Sequence, residues 1–211
     1  MGYTINDVKR IIDRITDVII AEKAELTEID SKLGDGDMGM SMEKGALALK
    51  KVLLEEDEKQ EEDISRLLLK CAASFNRAAP STMGTLLSGG LMELAKEWGQ
   101  KAELTVNDII SIPDILARSI ALRGKASVGD KTVLDALCPY AEELKKTYEN
   151  TKDIEQALKS AALAAERGME GTKGIIAKTG RAKWLAERNM DCPDGGAVLC
   201  YRIGKSFIDK H

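Results

Sequence analysis

The stretch VKRIIDRITDVII, residues 8–20, decides the fold class because its apolar residues recur at intervals of three and four. This spacing places Val8, Ile11, Ile12, Ile15 and Ile19 on one face of an α-helix. The same periodicity continues along most of the chain. It predicts further helices over residues 38–54, 63–78, 83–98, 106–122, 131–148, 151–168 and 175–189. The loops between them are short, which favours antiparallel neighbours, so we expect an all-α bundle or barrel of about eight amphipathic helices.

Three parts of this helical pattern are less regular. The segment 196–209 contains AVLCYRI, which is compatible with a strand or with the start of a helix. Pro113 and Pro139 fall inside predicted helices, and we expect a kink or a break there because proline lacks the backbone N–H. The glycine- and aspartate-rich segment 30–39 is expected to interrupt the pattern.

The composition is that of a globular protein. Of the 211 residues, 44% are apolar, 31% are charged and only 4% are aromatic, a mixture that favours helices over strands. This length fits one compact domain or two small ones, and no linker long enough to separate two domains is found, so we expect a single domain over residues 1–211. The net charge of −4 argues against nucleic-acid binding through a basic face.

Several classes of protein are disfavoured by what the sequence lacks. No run of 18 apolar residues occurs, so no membrane-spanning helix is expected. The first residues lack the continuous apolar segment of a secretory leader, and the four cysteines form no CxxC pair, so we expect a cytoplasmic protein with reduced thiols. The one histidine is His211, so a mechanism that needs an internal histidine is not expected to run within this chain.

The segment DSKLGDGDMGMSM, residues 30–42, carries the strongest chemical signal. It places the carboxylates of Asp30, Asp35 and Asp37 among three glycines, which let the backbone turn tightly. Carboxylate oxygens on such a turn suit Mg²⁺ or Ca²⁺, and Mg²⁺ also binds the phosphates of nucleotides. A capped turn without a metal is the alternative interpretation. The segment matches GxGxxG as well, but no strand precedes it and its carboxylates would repel the phosphates of a dinucleotide.

Two later segments carry weaker signals. In APSTMGTLLSGG, residues 79–90, Ser81 and Thr82 lie at a predicted helix start, where they either bind a phosphate or only cap the helix. The segment RGKASVGDKTVLDAL, residues 123–137, is nearly a Walker A loop. However, Asp130 stands between the glycine and the lysine and no strand precedes it, so we reject that motif.

The segment TGRAKWLAERNMDCPDGGAV, residues 179–198, contains two consecutive glycines, Gly195 and Gly196. Its Arg181 is a candidate for neutralising a phosphate, although an exposed surface arginine is the commoner case. Its Trp184 fits the core better than a base-stacking surface.

Together these four segments resemble one family, the nucleotide-binding subunits of dihydroxyacetone kinases, also called the DhaL or DAK2-type domain. The motifs that carry the resemblance are DxxxGDGDxG, SxxGT, RGKAxxGDKTxLDAL and GRAxxLxERxxxxxDxGA, in this order along essentially the whole chain. The resemblance implies an all-helical barrel of eight antiparallel helices with a nucleotide and magnesium at one rim.

The resemblance also implies which residues form the site. Asp30, Asp35 and Asp37 would hold two Mg²⁺ ions that bridge the phosphates of ADP or ATP. The residues implied in nucleotide binding are Met38, Gly39, Met40, Ser41, Ser81, Thr82, Gly124, Val133, Arg181, Asp194, Gly195 and Gly196. No residue of this chain is assigned as a catalytic base, because that role is expected on a partner subunit.

The activity implied by the resemblance is a phosphoryl transfer shared among subunits. In the phosphotransferase-system version of the family, bound ADP is a coenzyme that a DhaM-type phosphocarrier subunit recharges to ATP through a phosphohistidine. A DhaK-type subunit holds the ketose, dihydroxyacetone, covalently on its own histidine. The lack of an internal histidine in this chain agrees with that division of labour.

Two other functions stay open. One is an ATP-dependent kinase subunit for another small ketose, or for a fatty-acid-type substrate. The other is a nucleotide-sensing regulatory module that docks on a transcription factor without turnover. Exchange of bound nucleotide with free ATP would favour the first, and lack of activity with a ketose-binding subunit would favour the second.

Three positions depart from the pattern of the family. Met38 stands where a histidine is common, Ser41 where an asparagine is common, and Gly195 where a proline is common. All three concern the nucleotide rim and none concerns the carboxylates. They therefore bear on whether ADP stays bound or exchanges with ATP, and on the identity of the ketose.

Overall fold

Nine α-helices make up the fold in the computed structural model, which describes residues 2–58, 63–99, 101–178 and 191–208. Their bounds are α1 (Ile5–Ala21), α2 (Lys23–Leu33), α3 (Met38–Glu58), α4 (Ile64–Ala78), α5 (Thr82–Trp98), α6 (Val106–Gly124), α7 (Leu134–Thr151), α8 (Ile154–Glu170) and α9 (Gly195–Ser206). Within the described residues, β-type pairing is limited to one antiparallel bridge between Tyr3 and Leu104. Across the same residues, no helix combines the length and the apolar character needed to cross a membrane.

Side-chain caps explain where several helices begin. Before α1, the Thr4 N–H donates to Asp7 Oδ2 at 2.8 Å. Before α6, the Thr105 N–H donates to Asp108 Oδ2 at 2.8 Å, and the Asp108 N–H donates back to Thr105 Oγ1 at 3.2 Å. Asp153 caps α8 by accepting two backbone N–H groups. These bonds satisfy N–H groups that have no partner inside the helix.

Packing between helices arranges them in a closed ring. The α3 helix packs against α1 and α2, and each helix from α3 to α8 packs against the next one along the chain. The α9 helix packs against α7 and α8 and also contacts α1 and α2, which closes the ring. The apolar faces are buried in two main clusters, one centred on α1, α3, α4 and α5 and the other on α7, α8 and α9. The expected all-α barrel is therefore confirmed.

The α7 and α8 helices approach each other closely because α8 presents small residues to its neighbours. Ala157, Ala161 and Ala165 are fully buried on α8. At Gly168, a Cβ atom would lie only 2.0 Å from the backbone oxygen of Asp135 on α7. Any side chain at this position would therefore have to move one of the two helices.

The predicted helices agree with the structure except in two places. The α7 helix begins at Leu134 rather than near residue 131, because Lys131 has a φ of 60°, which an α-helix cannot contain. The helix predicted over 175–189 is absent from residues 175–178. That segment is instead tied to the loop before α7 by a bond from the Lys178 N–H to the Asp130 carbonyl oxygen. The remainder of the predicted helix, 179–189, lies outside the described residues.

The less regular parts of the pattern are settled by the structure. The ambiguous last segment is a helix, α9. A kink or a break was expected at Pro113 and Pro139, and the break is excluded because α6 and α7 run through these residues. A proline removes only one N–H from a helix, and packing on neighbouring helices compensates for that loss. The interruption expected over 30–39 is shorter than predicted, because α2 extends to Leu33 and includes Asp30.

Replacing Gly168 with alanine is expected to lower the free energy of unfolding by about 1–3 kcal/mol, because the new methyl group would overlap the Asp135 carbonyl. Urea denaturation followed by circular dichroism measures this change. Gly124→Ala is the matched control, since its methyl group would meet nothing closer than Leu86 Cδ2 at 3.6 Å. The control should be neutral or slightly stabilising. Equal midpoints for the Gly168 variant and the wild type would contradict the close packing.

Candidate functional site

A cavity lies where several helices begin or end, so it occupies one rim of the ring. The end of α2, the beginnings of α3, α5 and α9, the end of α6 and the loop before α7 all contribute to it. The lining residues are Ile29, Asp30, Asp35, Asp37, Met38, Ser81, Thr82, Met83, Leu86, Ile120, Gly124, Ala126, Lys131, Thr132, Val133, Asp194, Gly195 and Gly196. Segments far apart in the sequence therefore meet in one cavity with carboxylate, hydroxyl, ammonium and apolar groups.

Three carboxylates converge at one wall of this cavity. Asp30 lies in the last turn of α2, and Asp35 and Asp37 lie in the loop between α2 and α3. One carboxylate oxygen from each residue lies within 4.8 Å of the other two. Asp35 is exposed, and the other two side chains are half-buried. Three oxygens at these separations fit the coordination of a hard divalent cation such as Mg²⁺ or Ca²⁺.

Tight local packing brings these carboxylates together. Gly36 has a φ of 74°, a conformation that residues with a side chain rarely adopt. Asp30 Oδ2 accepts the Met38 N–H at 3.0 Å and so fixes the start of α3. A Cβ atom at Gly39 would lie 2.2 Å from the Lys23 carbonyl oxygen, so glycine allows α3 to pack directly on α2. The loop is thus constrained at both of its ends.

The start of α5 provides a second wall. Ser81 caps this helix by accepting the Gly84 N–H at 3.1 Å. The Ser41 hydroxyl donates to Ser81 Oγ at 3.0 Å, which links α3 to α5. Because the first N–H groups of a helix carry a partial positive charge, the region around Ser81 and Thr82 favours an anion such as a phosphate.

The start of α9 forms a third wall. Asp194 Oδ2 caps the helix by accepting the Ala197 N–H at 2.8 Å, and the Asp194 N–H donates to Thr172 Oγ1 at 2.9 Å. Burial raises the pKa of the Asp194 carboxyl to about 7. At Gly196, a Cβ atom would lie 3.0 Å from Val133 Cβ, so the missing side chain lets α9 pack against the loop before α7.

Two of the positions that depart from the family pattern are neighbours in space. A Cβ atom at Gly195 would lie 3.0 Å from Met38 Sδ. Both residues line the cavity. The sulfur of Met38 therefore occupies space that the side chain of another residue at position 195 would need.

The structure places most of the predicted nucleotide-binding residues in the cavity wall. The ones that line it are Met38, Ser81, Thr82, Gly124, Val133, Asp194, Gly195 and Gly196. Three others on α3 do not line the cavity: Gly39 is buried against α2, Met40 is 49% exposed, and Ser41 contacts Ser81. Arg181 lies outside the described residues.

Sequence reasoning did not identify every residue of the cavity. Lys131 lines the cavity and is only 4% exposed, yet it was not named among the nucleotide-binding residues, although its segment supplied Gly124 and Val133. The apolar lining residues Ile29, Leu86 and Ile120 were also missed, because their helical spacing is that of ordinary core positions. The GDKT stretch within the quoted family motif was the one signal that pointed to Lys131.

Replacing Asp194 with asparagine is expected to change how stability depends on pH. Because the pKa of Asp194 is raised in the folded chain, its contribution to stability is present at low pH and is lost as the pH rises towards 7. Asparagine keeps a cap for Ala197 and has no such titration. Between pH 5 and pH 8, the free energy of unfolding of the wild type should fall by roughly 2 kcal/mol relative to the variant. Urea denaturation of both proteins at the two pH values tests this, and parallel pH profiles would contradict it.

Comparisons with known proteins agree with this architecture. The chain is 28% identical over 187 residues to the ADP-binding subunit DhaL of the PEP-dependent dihydroxyacetone kinase of Escherichia coli, covering 89% of this chain and 88% of that protein. It is 30% identical to the second such DhaL subunit of Listeria innocua, covering 99% of this chain and 92% of that protein. The chain is also 31% identical to L-erythrulose kinase of Pectobacterium atrosepticum. That match covers 86% of this chain but only 31% of the relative.

Solved structures show the same fold. The dihydroxyacetone kinase of C. freundii in complex with AMP-PNP and Mg²⁺ superposes with a TM-score of 0.72 at 20% identity, over 99% of this chain and 34% of that chain. Residues 32–209 match the family described as the DAK2 domain. Because this match covers most of the sequence, the chain belongs to the DAK2 domain family.

Proposed function

We propose that this chain is the ADP-binding, phosphoryl-transferring subunit of a dihydroxyacetone kinase. One observation carries the proposal: three carboxylates converge within 4.8 Å at the rim of a DAK2 fold, beside a helix start that favours phosphate. Support comes from the two DhaL subunits, since this chain covers about nine tenths of the length of each. The C. freundii enzyme, whose fold is the same, was solved with AMP-PNP and Mg²⁺.

Different residues of the cavity would bind different parts of the nucleotide. Asp30, Asp35 and Asp37 would hold two Mg²⁺ ions, which neutralise phosphate charge and orient the terminal phosphoryl group. Ser81 and Thr82, at the start of α5, would bind phosphate oxygens. The adenine and sugar would lie against apolar and small residues, namely Leu86, Ile120, Ala126, Gly124 and Val133. The start of α9 at Asp194, Gly195 and Gly196 would border the nucleotide, together with Arg181.

The transfer would be completed by groups on other subunits. A hydroxyl oxygen of the ketose attacks the terminal phosphorus of ATP, the bond from that phosphorus to ADP breaks, and the hydroxyl proton passes to a base. We place that base and the ketose on a DhaK-type partner. A DhaM-type phosphocarrier would recharge the ADP. Residues 1–210 of this chain contain no histidine that could carry either the phosphate or the sugar.

The proposal extends to the organisation of the chain and its setting. We infer that residues 1–211 act as one domain, because α9 closes the ring on α1 and α2 and so joins the two ends of the described chain. We place the protein in the cytoplasm, with no role in nucleic-acid binding or in membrane insertion. The net charge of −4 supports the exclusion of nucleic acid.

A second function has a specific observation in its favour. Two relatives with more than 30% identity are named as erythrulose kinases, although this chain spans only about a third of each. An ATP-dependent kinase subunit for another small ketose is therefore the alternative. In that case, ATP would be a co-substrate that exchanges in every turnover, whereas in the first function ADP stays bound as a coenzyme.

The nucleotide content of the freshly purified protein distinguishes these functions. If the first is correct, acid precipitation after gel filtration should release ADP at a molar ratio near one, together with Mg²⁺. The physical reason is that a coenzyme must dissociate more slowly than the subunits turn over. A protein that elutes without nucleotide and binds ATP only transiently would favour the alternative. Failure to bind either nucleotide in the presence of Mg²⁺ would overturn both.

Replacing Asp35 with alanine should remove Mg²⁺-dependent nucleotide binding, with at least a tenfold loss of ADP affinity by calorimetry. The loss is expected because the remaining two carboxylates supply too few oxygens to hold the cations. Asp35 is exposed, and its loss removes one of three neighbouring like charges, so the metal-free variant should unfold at or slightly above the wild-type temperature. Glu28→Gln is the matched control, because Glu28 is an exposed carboxylate on α2 that lies outside the cavity. Equal loss in both variants, or none in Asp35→Ala, would contradict the assignment.

A further inference from the structure

Lys131 is a buried cation in the wall of the proposed nucleotide cavity. It belongs to the loop between α6 and α7, and only 4% of the residue is exposed. Among the described residues that line the cavity, it is the only lysine or arginine, whereas Asp30, Asp35, Asp37 and Asp194 are acidic. Among these lining residues, Lys131 is therefore the one whose charge favours an anionic ligand.

The loop holds Lys131 in place from both sides. Asp135 is buried, and its two carboxylate oxygens accept the N–H groups of Gly129 at 2.6 Å and of Thr132 at 2.7 Å. The Asp130 carbonyl oxygen accepts the Lys178 N–H at 3.2 Å. Residues on both sides of Lys131 are thus fixed by hydrogen bonds, so the backbone from which its side chain extends is held in place.

The backbone conformation of Lys131 is costly for a residue with a side chain. Its φ is 60°, in the left-handed region that glycine adopts without strain. Such conformations persist where the surrounding structure imposes them, and they occur often at ligand-binding sites. The same loop places a glycine with positive φ at position 129. The chain thus places a lysine at position 131 although the backbone there favours glycine.

Charged groups at the start of α9 lie near Lys131. Burial lowers its pKa, and Asp194, Cys192 and Asp191 oppose that change. Both aspartates stand at or just before the start of α9. The loop that carries Lys131 packs beside this helix start, since a Cβ atom at Gly196 would lie 3.0 Å from Val133 Cβ, and the first N–H groups of α9 also favour anions.

We propose that Lys131 binds the phosphate chain of the nucleotide through its ammonium group, on the α9 side of the cavity. An ammonium group donates up to three hydrogen bonds and acts on phosphate as a point charge. The carboxylates of the site bind phosphate only through a cation. Among the described lining residues, Lys131 is therefore the one whose own charge is opposite to that of phosphate. The inference rests on the proposed function, because it needs a nucleotide in this cavity.

Binding of ADP and of adenosine to four variants tests the proposal. Lys131→Met removes the charge and keeps the length, Lys131→Gly removes the side chain and relieves the positive φ, and Lys131→Arg restores a cation. Lys125→Met is the matched control, since Lys125 lies in the same loop with a φ of 49° but is exposed. Calorimetry with ADP and Mg²⁺ and ligand-observed NMR with adenosine measure the affinities, and thermal unfolding checks each variant.

The expected result separates a phosphate contact from a structural role. Lys131→Met and Lys131→Gly should lose at least tenfold in ADP affinity while their adenosine affinity stays within about threefold of the wild type. Lys131→Arg should recover part of the ADP affinity, and Lys125→Met should match the wild type. An equal loss of affinity for ADP and for adenosine, or no loss of ADP affinity, would overturn the role of Lys131. If the wild type itself binds no ADP, the proposed function fails and this inference falls with it.

Discussion

Electrostatic repulsion among three carboxylates is the constraint on which the rest of this structure depends. Asp30, Asp35 and Asp37 present oxygens within 4.8 Å of one another, a separation at which like charges repel strongly outside bulk water. The fold resists this repulsion through α2 and α3, which pack without an intervening side chain at Gly39. Asp30 also caps α3 through the Met38 N–H. These contacts hold the three carboxylates in the arrangement that the proposed cation site requires.

The closed ring turns this local arrangement into a complete cavity. Helix ends converge at one rim, and each end brings a different chemical group: carboxylates after α2, a hydroxyl at the start of α5, an ammonium group before α7 and a capped helix start at α9. The Ser41–Ser81 bond ties the carboxylate wall to the phosphate-favouring wall, and the Gly196 contact ties α9 to Val133. Because ring closure by α9 sets the distances between these walls, the chemistry of the site depends on packing far from it.

The sequence predicted the fold class and the carboxylates, because helical periodicity and a short acidic turn are local properties. It could not predict which neighbouring residues face the cavity. Consecutive residues of a helix point about 100° apart. Met38 therefore lines the cavity, while Gly39 packs on α2 and Met40 is half exposed. Lys131 was missed because its burial is a tertiary property, although Gly129, Thr132 and Asp135, whose hydrogen bonds fix its loop, lie in the quoted family motif.

Met38 and Gly195 show that two departures from the family pattern form one packing arrangement. The proline that is common at position 195 carries a Cβ, which would lie 3.0 Å from the Met38 sulfur, whereas glycine leaves room for it. At position 38, the apolar thioether of methionine stands in place of the polar ring of the histidine that is common in the family. The carboxylates, Ser81 and Lys131 do not depart from the family pattern. Since these unchanged groups are the ones suited to cations and phosphates, the departure alters one corner of the cavity near α9. It therefore bears on how long a nucleotide stays bound more than on whether its phosphates are recognised.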